Sequence, residues 1–315
     1  MSNVIQNRSE LIFLYDIKDA NPNGDPLDEN KPRIDEETGL NIVTDVRLKR
    51  TIRDYLMNFK KNEIFVREIS DDNGFIQDAK LRAKDFLKGE VDLENKDFEI
   101  QKNIIKDKII KECIDVRLFG ATIPLDLSIK KKNVTGSITL TGPVQFRIGR
   151  SMHRVEMKHI KGTGAFASQK GATTKTFREE DILPYSLINF YGIINENAAT
   201  HTGLTEEDVD KLIDGIWNGT KNLISRSKAG QMPRLLLKVE YTENNYHIGD
   251  LDKLIKLKSK HRDEKLRDID EIEIDASNLI QILNKNKDKI LNIKIRTDDR
   301  LNMNLDGLDI NLEYI

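Results

Sequence analysis

Two periods organise this chain. From Leu11 to Ile17 the residues LIFLYDI form a short apolar run rich in strand formers, and DANPNGDP directly after it must turn. A long loop from Asp19 to about Ile42 holds a second turn at EETG before Thr44 or Asp45 caps a helix over VTDVRLKRTIRDYL. Leu48, Ile52, Tyr55, Leu56 and Phe59 recur at helical spacing there, so one stripe is expected in the core and the cations outside it. Residues 60–111 are dense in mixed charge, with IQKNIIKDKIIKECI at helical spacing, and read as an inserted helical lobe.

In GSITLTGPVQFRIG, Ile138, Leu140, Val144, Phe146 and Ile148 alternate with Thr139, Thr141, Gln145 and Arg147, which predicts a second strand with one buried face. YSLINFYGIIN predicts a third. LTEEDVDKLIDGIWNGTKNLI then offers a capping box from Thr205 to Asp208 and an apolar face of Val209, Leu212, Ile213, Ile216, Trp217 and Ile224. RLLLKVEY is the fourth strand; beyond Asn244 a charge-rich tail holds a weaker helix around Ser277 to Asn284 and short strands near ILNIKIR and LDINLEYI. The order strand, helix, strand, strand, helix, strand is α+β and matches the ferredoxin-like arrangement of RNA-recognition folds.

Composition narrows the class. With 315 residues, 38% apolar and 33% charged, the chain can bury a real core, and 51 basic against 53 acidic residues leave no bulk charge to draw a polyanion. Any such affinity must come from segregated patches. Cys113 is the only cysteine, which excludes an intrachain disulfide and a multi-cysteine zinc site and suits a buried apolar role. The N-terminal stretch lacks a basic region and a long apolar run, so a cytoplasmic protein with no membrane partner is expected.

Catalytic templates fail. His-Glu-x-x-His, Cys-x-x-Cys and Gly-Lys-Ser/Thr are all absent, and GTGAFA at Gly162 to Ala167 follows a basic segment with no helix after it. His153 and His159 do not share a helical face and read as surface polar residues; Asp25, Asp28 and Asp35 lack calcium-loop spacing and read as turn formers. The opening helix is different. Its N-terminal N–H groups favour an anion, and Lys49 and Arg53, one turn apart, would flank it, while Arg50 and Asp54 have the spacing of a surface pair.

Two further basic, glycine-containing stretches support a polyanion. SRSKAGQMPR contributes Arg226, Lys228 and Arg234; the excursion from Arg150 to Arg178 has seven Lys/Arg against Glu156 alone and contributes Arg150, Arg154, Lys170 and Lys175. Repeated cations suit a phosphodiester chain. Aromatics are only 6%, so grip on sugar-phosphate is expected over base stacking; Phe119 and Phe166 are candidates for stacking but read more readily as core or loop-anchor packing, and Trp217 reads as core. The run Lys253 to Arg267 is followed directly by acids and reads as locally compensated.

DANPNGDPLDENKPRIDEETG, VTDVRLKRTIRDYL, DVRLFGAT, TGPVQFRIGRS and SRSKAGQMPRLLLKVEY together resemble the backbone subunit of the CRISPR Cascade complex, closest to type I-B, in the repeat-associated mysterious protein superfamily. The resemblance runs from about Leu11 to Tyr241. It implies an RRM-like palm (1–59, 113–149 and 179–243), a helical finger lobe (60–112), a thumb hairpin (150–178) and a C-terminal extension (244–315). It further implies a filament of copies along CRISPR RNA, target DNA met by way of the guide, other Cascade subunits as neighbours, a recruited helicase-nuclease, and neither cofactor nor metal. Lys49 would hold the RNA backbone, with Met152, His153 and Phe166 as candidates for kinking it. The expected RNA-contacting set adds Asn21, Asn23, Thr44, Arg50, Arg53, Phe119, Arg147, Arg150, Arg154, Lys170, Lys175, Arg226, Lys228 and Arg234. The alternative is a type III-like endoribonuclease using Asp25 or Asp35 with a divalent metal.

Overall fold

The computed structural model describes residues 4–70, 74–91, 96–130, 132–167 and 175–315, with backbone only for 163–167 and 175–178. In chain order the elements are β1 (Ser9–Ala20), β2 (Gly24–Asp25), β3 (Lys31–Pro32), β4 (Leu40–Val43), α1 (Asp45–Asn58), α2 (Ala79–Asp85), α3 (Phe98–Glu112), α4 (Ile114–Phe119), β5 (Gly120–Ile129), β6 (Lys132–Thr141), β7 (Val144–Phe146) and β8 (Gly149–Arg154). There follow β9 (Lys158–Ala167), β10 (Lys175–Ile194), α5 (Glu196–Thr202), α6 (Glu206–Lys221), β11 (Met232–Tyr241), β12 (Lys256–Lys258), β13 (Glu273–Asp275), α7 (Ser277–Lys285), β14 (Ile290–Thr297), β15 (Asn302–Met303) and β16 (Leu312–Tyr314). They form two compact units: a helical unit of Met1–Arg8, Lys49–Gln145 and Ile193–Gly219, and a sheet unit of Ser9–Leu48, Phe146–Gly192 and Thr220–Ile315. The class is α+β.

In the sheet unit the strands run β16-β14-β11-β1-β10-β8-β4. β1 is buried continuously from Ser9 to Ile17, as an unalternating apolar run requires of a strand covered on both faces. It pairs antiparallel with β11, Ser9 opposite Glu240 and Asp16 opposite Met232, with a bulge at Leu14/Tyr15. The charge-rich tail is no loose appendage: β14 pairs antiparallel with β11 and extends the sheet. Within its basic run β12 pairs antiparallel with β13, and Lys258 Nζ meets Asp275 at 2.9 Å.

Two carboxylates lie inside this sheet. Glu10 accepts hydrogen bonds from the Tyr191 and Tyr241 hydroxyls and from the Ile248 and Gly249 amides. Asp16 accepts from the Tyr185 hydroxyl at 2.9 Å and pairs with Arg234 Nη2 at 2.9 Å, while Arg234 Nη1 reaches Asp298 at 2.5 Å. Each buried charge has a partner, the condition under which such groups are tolerated.

The helical unit has its own core of α2, α3 and the β5–β6 hairpin, with Phe65, Phe86, Ile105, Ile109, Ile123 and Leu125 among its residues. Cys113 belongs to it, buried, its thiol pKa raised chiefly by burial. The capping box forms as read: Asp208 N donates to Thr205 Oγ1 at 3.2 Å and Thr205 N to Asp208 Oδ2 at 3.3 Å. α6 packs closely on α1, because a Cβ at Gly219 would stand 3.1 Å from that of Tyr55.

Three sequence expectations are corrected. The single second strand breaks at Gly142–Pro143: a Cβ at Gly142 would lie 2.0 Å from the Phe119 carbonyl carbon, and proline offers no ladder donor. β6 therefore pairs with β5, whereas β7 and β8 both pair with β10, so Arg150–Arg154 lie in the central sheet. Phe59 is 59% and Ile224 77% exposed, both beyond the helix ends that would have turned them inward. Among the described residues no helix is long and apolar enough to cross a membrane.

Candidate nucleic-acid interface

The loop after β1 is tied to the start of α1. In the sheet unit Asn23 Oδ1 accepts from Thr44 N at 2.9 Å and Thr44 Oγ1 at 3.0 Å, and Arg47 N donates to Thr44 Oγ1 at 3.3 Å. Thr44 is thus the helix cap and Asn23 its brace. In the helical unit Lys49 Nζ is 3.4 Å from Gln145 Oε1 and 5.7 Å from the centroid of the Phe119 ring. The Arg53 guanidinium lies over the same ring at 5.1 Å. Phe119 is buried, and both cations face its ring.

Arg53, over the same ring as Lys49, is also committed to an interior carboxylate. Its Nε is 2.9 Å from Asp115, a fully buried carboxylate that also accepts from Phe65 N at 2.7 Å and Val66 N at 3.1 Å. A charge so deep needs this counterion. Arg50 forms the exposed pair with Asp54, at 2.7 Å, that its spacing indicated.

The sheet unit holds an open cavity of about 910 Å³ lined in part by Arg147, Arg150, Met152, Asn189, Tyr191 and Asp252. The Arg147 guanidinium stacks 4.3 Å from the Tyr191 ring centroid and pairs with Asp250 at 2.6 Å and Asp252 at 3.6 Å. Burial raises the pKa of Asp252, with Arg147 opposing. Arg150 Nη1 meets Asp35 at 2.7 Å, and Met152 is half-buried. Arg154 is exposed, its backbone N–H bound to Asp263.

A second cavity of about 250 Å³ in the same unit is lined by Asn21, Asn30, His159, Glu180, Asp181 and Arg226, among others. It is where the first loop and the SRSKAG loop meet: Asn21 N donates to Ser227 O at 2.9 Å and Lys228 Nζ to Asn21 O at 3.3 Å. Burial lowers the Lys228 pKa. Arg226 faces Glu180 at 3.5 Å, and His159 Nδ1 faces Asp181 at 3.0 Å.

Other expected RNA-facing residues are placed differently. Arg234, 3% exposed, is interior, because only there can it neutralise Asp16 and Asp298. His153 is 2% exposed and so no surface residue; Nε2 accepts from Leu187 N at 3.2 Å, and Nδ1 faces Arg154 O at 2.8 Å, which makes it a neutral imidazole donating through Nδ1. Asn21 is buried and donates to Asn30 O at 2.7 Å. Lys170 lies outside the described residues, as do the side chains of Phe166 and Lys175, whose backbones are in β9 and β10. Asp25 pairs with Arg33 at 2.8 Å and Asp28 with Lys31 at 2.8 Å; among the described residues no three His, Cys, Asp or Glu side chains are grouped to hold a metal. Asp115, Gln145 and Asp250 escaped the sequence reading, since partners 62 to 103 residues away leave no local pattern.

The profile of the family "CRISPR-associated protein Cas7" matches residues 7–277. A CRISPR-associated protein Cas7 of Haloferax volcanii is 34% identical over 311 residues, 95% of this chain and 89% of that one. Among solved structures, a chain of a CRISPR RNA-guided surveillance complex in a pre-nicking state superposes with a TM-score of 0.55 at 13% identity, over 98% of this chain and 96% of that one. A chain of another CRISPR RNA-guided surveillance complex gives 0.54 at 12%, covering 98% and 94%. At such identities these two speak for the fold, whereas the profile and the Haloferax relative establish kinship: the chain belongs to the Cas7 family of CRISPR-associated proteins.

Proposed function

We propose that this chain is a CRISPR RNA-binding backbone subunit of a type I Cascade complex, of the I-B branch, whose copies line up along the guide and present it to target DNA. The observation that carries this reading is the placement of Arg147 and Arg150, about half exposed, on the wall of one open cavity around β8, where the described lining residues include no exposed aromatic. Cations without stacking platforms suit a strand held by its phosphates with base edges left free to pair. The strand order β11-β1-β10-β8 supports reading this sheet as a ferredoxin-like palm, and β9 with the start of β10 is read as the thumb. Other Cascade subunits and a recruited helicase-nuclease are the remaining partners of this reading, and the cytoplasm its place.

We read the chain as non-catalytic. Asp25 and Asp35, the residues of the endoribonuclease alternative, are each engaged by an arginine. Material purified from the native host should carry RNA, seen as excess absorbance at 260 nm, and should leave complementary RNA intact with Mg²⁺. Lys49→Ala should weaken RNA binding and reduce the slope of log K against log salt by about 0.7, the share of a single neutralised phosphate. An unchanged slope contradicts the role of Lys49; metal-dependent cuts abolished by Asp35→Ala contradict the absence of catalysis.

A further inference from the structure

Three arginines of the sheet unit are not bare. Arg147 is held by Asp250, Arg150 by Asp35 and Arg226 by Glu180, three carboxylates from three separate segments. Two of these acids are fixed by their own turns. Asp35 accepts from the Glu37 and Thr38 amides at 3.2 and 3.4 Å, and Asp250, at φ +54°, also holds Lys253 at 2.8 Å. All six partners are at least partly exposed, so the pairs are open to competition.

We propose that Asp35, Glu180 and Asp250 act as surrogate phosphates, occupying the RNA-facing arginines until a strand long enough to replace several at once displaces them. They would thereby set an affinity threshold that excludes short or stray polyanions. This rests on the RNA-binding reading above. An exposed ion pair contributes little singly, so one phosphate gains almost nothing by breaking one latch, whereas a continuous strand exchanges all three within a single association. The side chain of Arg150 already holds the Asp35 carboxyl below its ordinary pKa range, a sign that the anion's site is formed before RNA arrives.

Displacement has an ionic signature. Each neutralised phosphate releases counterions from the RNA, but a carboxylate freed from its arginine recovers part of a cation atmosphere. Net ion release by the wild type is therefore lower than the number of phosphates it engages implies.

The test compares the full-length protein with the triple variant Asp35→Asn, Glu180→Gln, Asp250→Asn, using a fluorescein-labelled oligouridylate over a range of NaCl concentrations. The variant should bind about 10- to 100-fold more tightly at low salt, with a steeper dependence on salt. A charge-matched control, Glu99→Gln, Glu207→Gln, Asp306→Asn, alters exposed acids elsewhere and should gain much less. An equal gain in the control, or unchanged affinity and slope in the variant while the wild type binds, overturns the latch and leaves the RNA-binding reading standing. Absence of binding by every protein overturns both.

Discussion

Arginine is the residue whose role the structure revises most. Arg147, Arg150 and Arg226 remain exposed beside cavities, whereas Arg53 and Arg234 are turned inward to buried carboxylates. The difference is testable by stability. Arg234→Ala leaves the buried Asp16 without its counterion, while Asp298 keeps Arg300 at 3.3 Å, and urea denaturation should show a loss of about 3–5 kcal/mol; a loss below about 1 kcal/mol would return Arg234 to the surface set. RNA affinity per folded molecule should be unchanged. His153 gives a pH dependence. Burial lowers its pKa below the ordinary histidine value, so between the two values the unfolded chain binds the extra proton. Its contribution is complete above about pH 6.5 and is lost as pH falls through the lowered value. Melting temperature should therefore drop on acidification through that window, and His153→Gln should flatten the drop.

Elements were legible where their signals are local. β1, α1 and α6 follow from a buried run, a capped periodic stripe and a reciprocal cap, all readable within about a dozen residues. Thr205→Ala should lower stability by about 1 kcal/mol in urea, and Thr205→Ser should restore it, because the hydroxyl alone supplies the cap. The second strand failed for a reason equally physical. Alternation from Ile138 to Phe146 continues across Gly142–Pro143, yet the residues before the break pair with β5 and those after it enter other strands. Period-two patterning reports that a face is buried, not which strand lies beside it.

At the scale of the whole molecule, near-zero net charge with cations collected along particular strands favours a partner that is gripped at many points at once. If copies associate head to tail along the guide, as the proposed function requires, light-scattering mass should rise stepwise with RNA length; a mass independent of length would point to a closed or single-copy complex. The amino-acid sequence by itself determined the class, most of the elements, a helix cap at Thr44 or Asp45 and the motifs of kinship, because propensity, periodicity and turn chemistry act between near neighbours. Only the tertiary structure decided which cations face solvent and which are consumed inside, that His153 is neutral and interior, and that the charged tail adds two strands to the sheet. Those outcomes depend on partners 34 to 218 residues apart, brought together by strand register, and no local pattern encodes that distance.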